Sequence, residues 1–424
     1  MSVLAVVMAG GKGTRIASVN SDLPKPMIPL LGKPVLQYTI EALSREGVKD
    51  FVFVIGYLGE KIQDYFGDGH DFGVNISYIV EKEPLGTAGA LYYLKGKVEE
   101  DFLLVNGDIV FDINVQRLMY NHRKNKSLAT IVTHPNGHPH DSGVIFADKN
   151  GVVTKWLNRE DERLWYRNRV NAGIHVISPK LLDEFTEAKK TDLDRDVLRP
   201  LIAKGELSCY DTPEYIKDMG TPERYKEVEN DLRLHRPELR NLSHKQKAIF
   251  LDRDGTINKY VGFLTNIDDF ELLPGVVEAI RKINESDYLA IVVTNQPQIA
   301  RGELTFEELD EIHAKMETLL GKEGVYLDGL YFCPHHPDRG FPGERPELKV
   351  DCPCRKPKPG MLLKASAAYN IALGESWIVG DTALDVETGI NGGLRTAILG
   401  KDERADMEAK DLLEAVNRIL KKEE

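Results

Sequence analysis

A chain of 424 residues, 42% hydrophobic and 29% charged, is long enough for two or three domains with separate cores and has an ordinary folded composition. Its formal net charge of -12 argues against a nucleic-acid-binding surface but leaves room for a local basic pocket that takes phosphates. No stretch approaches the roughly 18 apolar residues of a membrane helix, and the four cysteines, three of them clustered, suit a reducing cytoplasm better than a disulfide framework.

The first residues, MSVLAVVMAGGKG, hold a short apolar run with no basic n-region, which reads as a buried strand and not as a signal peptide. Up to about Asp231, short apolar runs (Leu4 to Met8, Phe51 to Ile55, Ile76 to Val80, Phe102 to Val105) alternate with helix-like segments, the rhythm of an α/β sheet. The polar, basic stretch from Leu232 to Lys247, interrupted by Pro237, reads as a helix end followed by a linker. A second α/β rhythm starts at Ala248 and continues through Ile291 to Thr294 and Trp377 to Gly380. The predicted organisation is one domain over 1–236, a linker over 237–246 and a second domain over 247–424, whose tail KKEE is a frayed helix end.

The first predicted strand runs into Gly10-Gly11-Lys12-Gly13-Thr14-Arg15, where glycines let backbone N–H groups approach phosphate oxygens. The run has neither the P-loop pattern nor GxGxxG spacing, and by itself it also fits a tight strand-to-helix turn. Downstream, Leu23-Pro24-Lys25-Pro26-Met27 presents one lysine on a proline-stiffened loop. Glu81 to Ala90 (EKEPLGTAGA), Asn106-Gly107-Asp108, Asn171-Ala172-Gly173 and Asp218-Met219-Gly220-Thr221-Pro222 follow in order. Together these segments resemble the sugar-phosphate nucleotidyltransferases over nearly all of residues 1–231. The resemblance implies a Rossmann-like sheet in which Gly10, Gly11, Gly13 and Thr14 cradle a nucleoside triphosphate, Arg15 grips it and Lys25 neutralises charge at the reacting phosphorus. It also implies that Glu81, Gly86 and Thr87 contact base and ribose, Asn171 and Gly173 contact the sugar, and Asp108 and Asp218 hold Mg²⁺. Where many members carry a lysine for the sugar phosphate, this chain has Asn158-Arg159, so Arg159 is the expected replacement and Lys155 the weaker one. A sugar 1-phosphate oxygen would attack the α-phosphorus and release pyrophosphate, a reaction driven by positioning and charge neutralisation.

At Ile249-Phe250-Leu251-Asp252-Arg253-Asp254-Gly255-Thr256 an apolar strand delivers two carboxylates, one residue apart, to a Gly-Thr turn. Strand alternation points both to one side, which suggests a divalent cation and phosphate chemistry, although Asp-Gly turns are common wherever a strand ends. Val293-Thr294-Asn295-Gln296, Arg355-Lys356-Pro357-Lys358-Pro359-Gly360 and Gly380-Asp381-Thr382-Ala383-Leu384-Asp385 follow. These four ordered motifs resemble the haloacid dehalogenase superfamily, a second Rossmann-like fold. The resemblance implies that Asp252 forms an aspartyl-phosphate, Asp254 is the acid and base, and Thr294 and Lys356 bind phosphate oxygens. Asp252, Asp254 and Asp381, supported by Asp385, would hold Mg²⁺.

Cys333-Pro334-His335-His336 and Cys352-Pro353-Cys354 offer four soft ligands for tetrahedral Zn²⁺, with spacing favouring His335 over His336. A closed Cys₃His site is structural, and its binding energy, on the order of 10 kcal/mol, would anchor the loop that leads into Arg355 and Lys356. With Thr294-Asn295-Gln296 and Ile299-Ala300-Arg301-Gly302, the zinc loop resembles the heptose 1,7-bisphosphate phosphatases, and the related histidinol-phosphate phosphatases share the scaffold. Asn295, Arg301 and Arg355 are then expected to face substrate, while Pro297 stiffens a loop where relatives carry NQSG. The combined expectation is a cytoplasmic, Mg²⁺-dependent bifunctional enzyme of nucleotide-sugar synthesis, using GTP and sugar phosphates and neither nucleic acid nor membrane. The competing expectations are a mannose- or glucose-1-phosphate nucleotidyltransferase joined to a histidinol-phosphate or other sugar phosphatase, and a regulatory binding protein with degenerate sites.

Overall fold

The computed structural model describes residues 3–11 and 23–421, and the statements below concern those residues. Two compact units emerge, and they do not follow the linear division of the sequence. The first comprises residues up to His134, Ile145–Trp156 and Asn171–Asn241, and the second comprises Pro135–Val144, Leu157–Val170 and Leu242 onward. Two segments from the first half of the chain therefore fold with the second half.

In the first unit, the apolar runs form strands β1 (Leu4–Met8), β2 (Asp50–Ile55), β3 (Asn75–Val80) and β4 (Phe102–Asn106). β1 lies between β4 and β2, with β3 beyond β2, all parallel. Both faces of such strands are covered, which is why Ala5, Val6 and Val7 are fully buried without alternation. Helix α1 (Val35–Arg45) covers one face with Leu36, Ile40 and Leu43, spaced three and four residues apart. A short strand β5 (Ile109–Asp112) leaves the end of β4, and helix α2 (Val115–Asn125) is capped by Asn114. Strands β6 (Ala129–His134), β7 (Val144–Ala147), β8 (Val153–Leu157), β9 (Val170–Ile177) and β10 (Leu207–Asp211) extend the sheet to nine strands. β9 runs antiparallel to β4. β11 (Tyr215–Asp218) pairs antiparallel with β5 outside that sheet.

Helix α3 (Pro222–Arg233) starts from the Thr221 cap with Pro222 at its first position. The expected linker is more ordered than its composition suggests. Arg236–Leu239 forms one further helical turn, and Asn241 Nδ2 donates to Asp112 at 2.6 Å.

The second unit holds a six-stranded parallel sheet of β12 (Lys247–Leu251), β13 (Tyr288–Asn295), β14 (Gly329–Cys333), β15 (Trp377–Gly380), β16 (Arg395–Leu399) and β17 (Met407–Ala409). Their spatial order is β14-β13-β12-β15-β16-β17. Chain order reverses direction on either side of β12, so the ends of β12, β13 and β15 form the crevice where open α/β sheets bind ligands. Helix α4 (Phe306–Lys322) begins in a Thr305–Glu308 capping box, and helix α5 (Ala383–Gly392) in a Thr382–Asp385 one. The core is continuous from Ile249 and Leu251 through Ala290 and Val292 to Val379. No helix among the described residues is long and apolar enough to cross a membrane.

Candidate functional sites

The four motif segments of the second unit converge at that crevice. Asp252 follows β12, Thr294 and Asn295 end β13, and Asp381 follows β15. Single carboxylate oxygens of Asp252, Asp381 and Asp385 lie within 4.8 Å of one another. Lys356 Nζ sits 2.6 Å from both Asp252 Oδ1 and Asp385 Oδ1 and donates to Val293 O at 3.2 Å. Burial alone would lower the Lys356 pKa, but the two carboxylates outweigh it and push the pKa up, so the ammonium persists. Burial raises the Asp252 pKa against the pull of Lys356, and Asp385 adds to the rise.

These residues suit a hard divalent cation. Three carboxylates face one point, and Asp381 Oδ1 is buried without a hydrogen-bond partner. Gly255, at φ +87°, allows this approach, because a Cβ there would overlap the Asp381 carboxylate. Asp385 also closes the capping box of α5, accepting from Thr382 Oγ1 at 2.7 Å. Asp254, also expected among the metal ligands, accepts hydrogen bonds from Arg253, Gln296 and Asn258.

Thr294 is buried, and its Oγ1 accepts from Gln296 Nε2 at 3.0 Å. Asn295 holds the lysine loop by a reciprocal pair, Nδ2 to Lys356 O at 3.2 Å and Lys356 N to Oδ1 at 3.0 Å. Arg301 is clamped between the rings of Phe263 and Phe341, 4.4 and 4.3 Å from their centroids, and pairs with Glu303 at 2.8 Å. Arg355 Nη1 donates to His335 O at 3.1 Å, tying the lysine loop to the cysteine cluster.

That cluster brings Cys333, His335, Cys352 and Cys354 together. The sulfurs lie 2.7 to 3.4 Å apart, and His335 Nδ1 is 3.6 Å from Cys333 and 3.4 Å from Cys354. His336 turns elsewhere, stacking edge-on against Phe341 and accepting from Asp338 N. The hydrogen bond shared with Cys333 lowers the Cys354 thiol to about 5, while that same bond and burial push Cys333 up. Three crowded sulfurs and an imidazole are the donor set that Zn²⁺ takes in closed structural sites.

In the first unit, Gly13, Thr14 and Arg15 lie outside the described residues. Gly10, at the end of β1, abuts the Glu81 carboxylate, since a Cβ there would fall 2.6 Å from Glu81 Oε2. Gly11 is exposed beside it. Burial raises the Glu81 pKa. Lys25 Nζ donates to Asp108 just beyond β4. The β5–β11 register pairs Asp218 with Ile109, which places Asp218 beside the strand that follows Asp108. Arg224 Nη1 lies 3.1 Å from both Asp218 oxygens.

Gly86, at φ +80°, packs on the Thr191 backbone, and Thr87 Oγ1 accepts from Leu193 N at 2.7 Å. Asn171 Oδ1 accepts from Gly173 N at 3.0 Å, and Gly173, at φ +73°, leaves no room for a Cβ beside Asn106. Arg159 is exposed, pairs with Glu160 at 3.3 Å and belongs to a segment that clusters with the second unit, while Lys155 lies over the Phe146 ring.

Residues 4–234 match the family model described as nucleotidyl transferase, and residues 353–419 match the HAD-hydrolase-like model. A D-glycero-beta-D-manno-heptose-1,7-bisphosphate 7-phosphatase of Yersinia pestis is 43% identical over 165 residues, 38% of this chain and 86% of that protein. The chain belongs to the nucleotidyl transferase family and, in its second half, to the heptose-bisphosphatase family of HAD hydrolases. It is therefore a bifunctional enzyme with a transferase and a phosphatase component. A mannose-1-phosphate guanylyltransferase of Mycobacterium tuberculosis is 30% identical over 231 residues, 54% of this chain and 64% of that protein. The crystal structure of HddC from Yersinia pseudotuberculosis is 26% identical with a TM-score of 0.49, covering 54% of this chain and 99% of that one. Nucleotidyl transferases act on nucleoside triphosphates and sugar phosphates, and both families generally use Mg²⁺.

Several residues escape a motif reading. Arg253 and Gln296 sit inside recognised motifs, but motif spacing does not show that Arg253 folds back on its neighbour Asp254 or that Gln296 reaches the same carboxylate from the adjacent strand. His313 gives no sequence signal beyond a histidine on an apolar helix face. Asp194 is 3.4 Å from Asn171 Nδ2, and burial raises its pKa to about 6. The only available hint was an acidic residue beside an arginine in Leu193-Asp194-Arg195-Asp196.

Proposed function

We propose that the second half removes the 7-phosphate of D-glycero-D-manno-heptose 1,7-bisphosphate and that the first half transfers GMP from GTP to the resulting heptose 1-phosphate. Residues 1–236 and 247–424 carry the two activities, joined through 237–246. The observation that carries this reading is one chain joining a 43% identical relative of heptose-bisphosphate phosphatases to a 30% identical relative of a guanylyltransferase. The product of the first reaction belongs to the acceptor class of the second. Synthesis from a nucleoside triphosphate and a sugar phosphate supports a cytoplasmic enzyme.

In the phosphatase, an Asp252 oxygen forms the bond to phosphorus while the sugar oxygen leaves and takes a proton from Asp254. Asp254 then accepts a proton from the water that cleaves the aspartyl-phosphate. Thr294 and Lys356 hold the phosphoryl oxygens, and Lys356 already lies 2.6 Å from Asp252. Asp252, Asp381 and Asp385 would hold Mg²⁺, with Asp254 beside them; when bound, the ion supplies charge neutralisation at the phosphoryl group. Cys333, His335, Cys352 and Cys354 would hold structural Zn²⁺ and keep Arg355 and Lys356 in place.

In the transferase, the sugar phosphate is itself the nucleophile, so the chain needs to align it rather than deprotonate it. Lys25 and Arg15 neutralise the triphosphate, and Gly10, Gly11, Gly13 and Thr14 bring backbone donors to it. Glu81, Gly86 and Thr87 line the nucleoside side, and Asn171 and Gly173 the sugar side. Asp108 and Asp218 would hold Mg²⁺ there.

The test is one mass-spectrometric assay with Mg²⁺, an equimolar mixture of nucleoside triphosphates, and the α- or β-anomer of the bisphosphate. The expected product is GDP-heptose from the α-anomer alone, the configuration of the guanylyl route, whereas the curated relative's name specifies β. Phosphate release without nucleotide-sugar would return the transferase to a screen of mannose and glucose 1-phosphates. Turnover of histidinol phosphate in preference to the bisphosphate would overturn the phosphatase assignment.

A further inference from the structure

We infer that Arg253 and His313 are positioning residues that fix the orientation of the Asp254 carboxyl group, which in its protonated form gives its proton to the leaving oxygen. Asp254 receives an unusual number of donors. Arg253 Nη2 donates to Oδ2 at 2.7 Å and to Oδ1 at 2.9 Å, and Arg253 Nε reaches Oδ1 at 3.2 Å. Gln296 Nε2 adds a bond to Oδ2 at 2.9 Å, and Asn258 Nδ2 one to Oδ1 at 3.1 Å.

The guanidinium that organises this set is wholly buried, and burying a charged fork demands that its remaining donors be satisfied. Nη2 also donates to Gln296 Oε1 at 3.0 Å, which orients the Gln296 amide so that its nitrogen faces Asp254. Nη1 points the other way and lies 3.1 Å from Nε2 of His313, which is 1% exposed. An arginine can only donate, so Nε2 must accept and the ring must be neutral. Burial, then the charges of Arg253 and Arg167, hold the His313 pKa well below its ordinary value, in agreement with that geometry.

The histidine is itself fixed. Its ring packs 5.7 Å from that of Phe332 on β14, and α4 is pinned at both ends. The capping box at Thr305 closes one end. Near the other, Thr318 Oγ1 accepts from Tyr166 N at 2.9 Å, Glu317 accepts from Asn168 N at 2.6 Å, and Arg167 pairs with Glu317 at 2.8 Å. Those three residues lie in a segment of the second unit that comes from the first half of the chain. A frame running from α4 through His313 and Arg253 thus fixes where Asp254 points.

The inference rests on the phosphatase reading of this site, and the test separates the two. A sugar alkoxide is a poor leaving group that needs a proton, whereas p-nitrophenolate leaves without one. kcat/KM covers only the steps up to release of the leaving group, so the two substrates isolate the acid step. Arg253→Lys keeps the charge and removes the fork, and it should lower kcat/KM for heptose 1,7-bisphosphate about thirtyfold or more. For p-nitrophenyl phosphate the same variant should stay within threefold of wild type. His313→Leu should show the same selectivity at about tenfold, and His313→Gln, which restores an acceptor, should recover most of the loss. Equal losses on both substrates in folded protein, or no loss, would overturn the positioning role. If His313→Leu does not fold, Arg253→Lys and His313→Gln still make the comparison. Wild type inactive on both phosphate esters would sink the phosphatase reading and this inference together. If only the bisphosphate is refused, glycerol 3-phosphate replaces it as the alkyl ester.

Discussion

Lys356 and Asp252 touch across the crevice of the second sheet at 2.6 Å, joining a lysine that follows the cysteine cluster to the carboxylate that ends β12. The two residues are 104 positions apart, and three separate restraints hold the lysine. Asn295 clasps its backbone, Asp385 shares its ammonium, and Arg355 beside it is tied to the His335 carbonyl. On the proposed reading, nucleophile and phosphate-binding cation are therefore preorganised together, which in a phosphoryl-transfer site is where most of the rate enhancement arises.

Asp252→Asn removes the nucleophile while keeping the shape of the site. Phosphate release from the bisphosphate should fall at least about a thousandfold, and nucleotidyl transfer from heptose 1-phosphate should be unchanged. If both activities fell in folded protein, independent sites would be the wrong description.

Gly255→Ala introduces a Cβ into the Asp381 carboxylate at a residue whose φ of +87° already disfavours a side chain. The expected cost is about 2–3 kcal/mol of stability, with loss of most Mg²⁺-dependent phosphatase activity and no effect on the transferase. Chemical denaturation and paired activity assays check both halves of that statement. A Gly255→Ala enzyme with full phosphatase activity would show that the Asp381 approach is not needed.

Cysteine replacement tests the metal cluster. Cys352→Ser should lower bound zinc from about one ion per chain to a small fraction by elemental analysis, and with it the thermal midpoint. Phosphatase turnover should drop about tenfold or more because Arg355 and Lys356 lose their anchor, while the transferase rate should hold. Zinc-free wild-type protein with full phosphatase activity would contradict the anchoring role.

Lys25→Ala removes the cation that pairs with Asp108. Transferase kcat should fall about a hundredfold with a smaller change in KM, since the charge acts on the reacting phosphate more than on ground-state binding. A change confined to KM would assign Lys25 to binding alone.

Asp194 predicts a pH-dependent stability, because burial raises its pKa to about 6. Below about pH 4 the carboxyl is neutral in the folded and unfolded chain alike, and its contribution is fully present. As pH rises from about 4 through about 6 the unfolded chain ionises first and the folded chain must then bury a charge, so up to about 3 kcal/mol is lost. Asp194→Asn should match wild type in thermal midpoint at pH 4 and exceed it at pH 8. Parallel pH curves for the two proteins would rule the effect out.

Much of this could be read from residue order alone. The apolar runs at Leu4, Phe102 and Trp377 became strands because side-chain burial over five residues is a local property, legible wherever both faces of a strand are covered. The order of the phosphatase motifs fixed which residues stand at strand ends, and the Cys333 to Cys354 spacing fixed a four-ligand cluster. Other features depend on which strands become neighbours, and residue order does not carry that. Spacing already leans towards His335 over His336, and the turn of the loop that stacks His336 against Phe341 adds the tertiary reason. Asp254 meets Gln296 because β13 lies beside β12. His313 matters only because α4 packs its inner face against a buried guanidinium. The segments 135–144 and 157–170 join the second unit through hydrogen bonds such as Tyr166 to Thr318, between residues 152 positions apart. Periodicity and motif spacing report what a residue does to its neighbours in the chain. Convergence of donors from distant strands is set by sheet order, which becomes definite only when the whole core is packed.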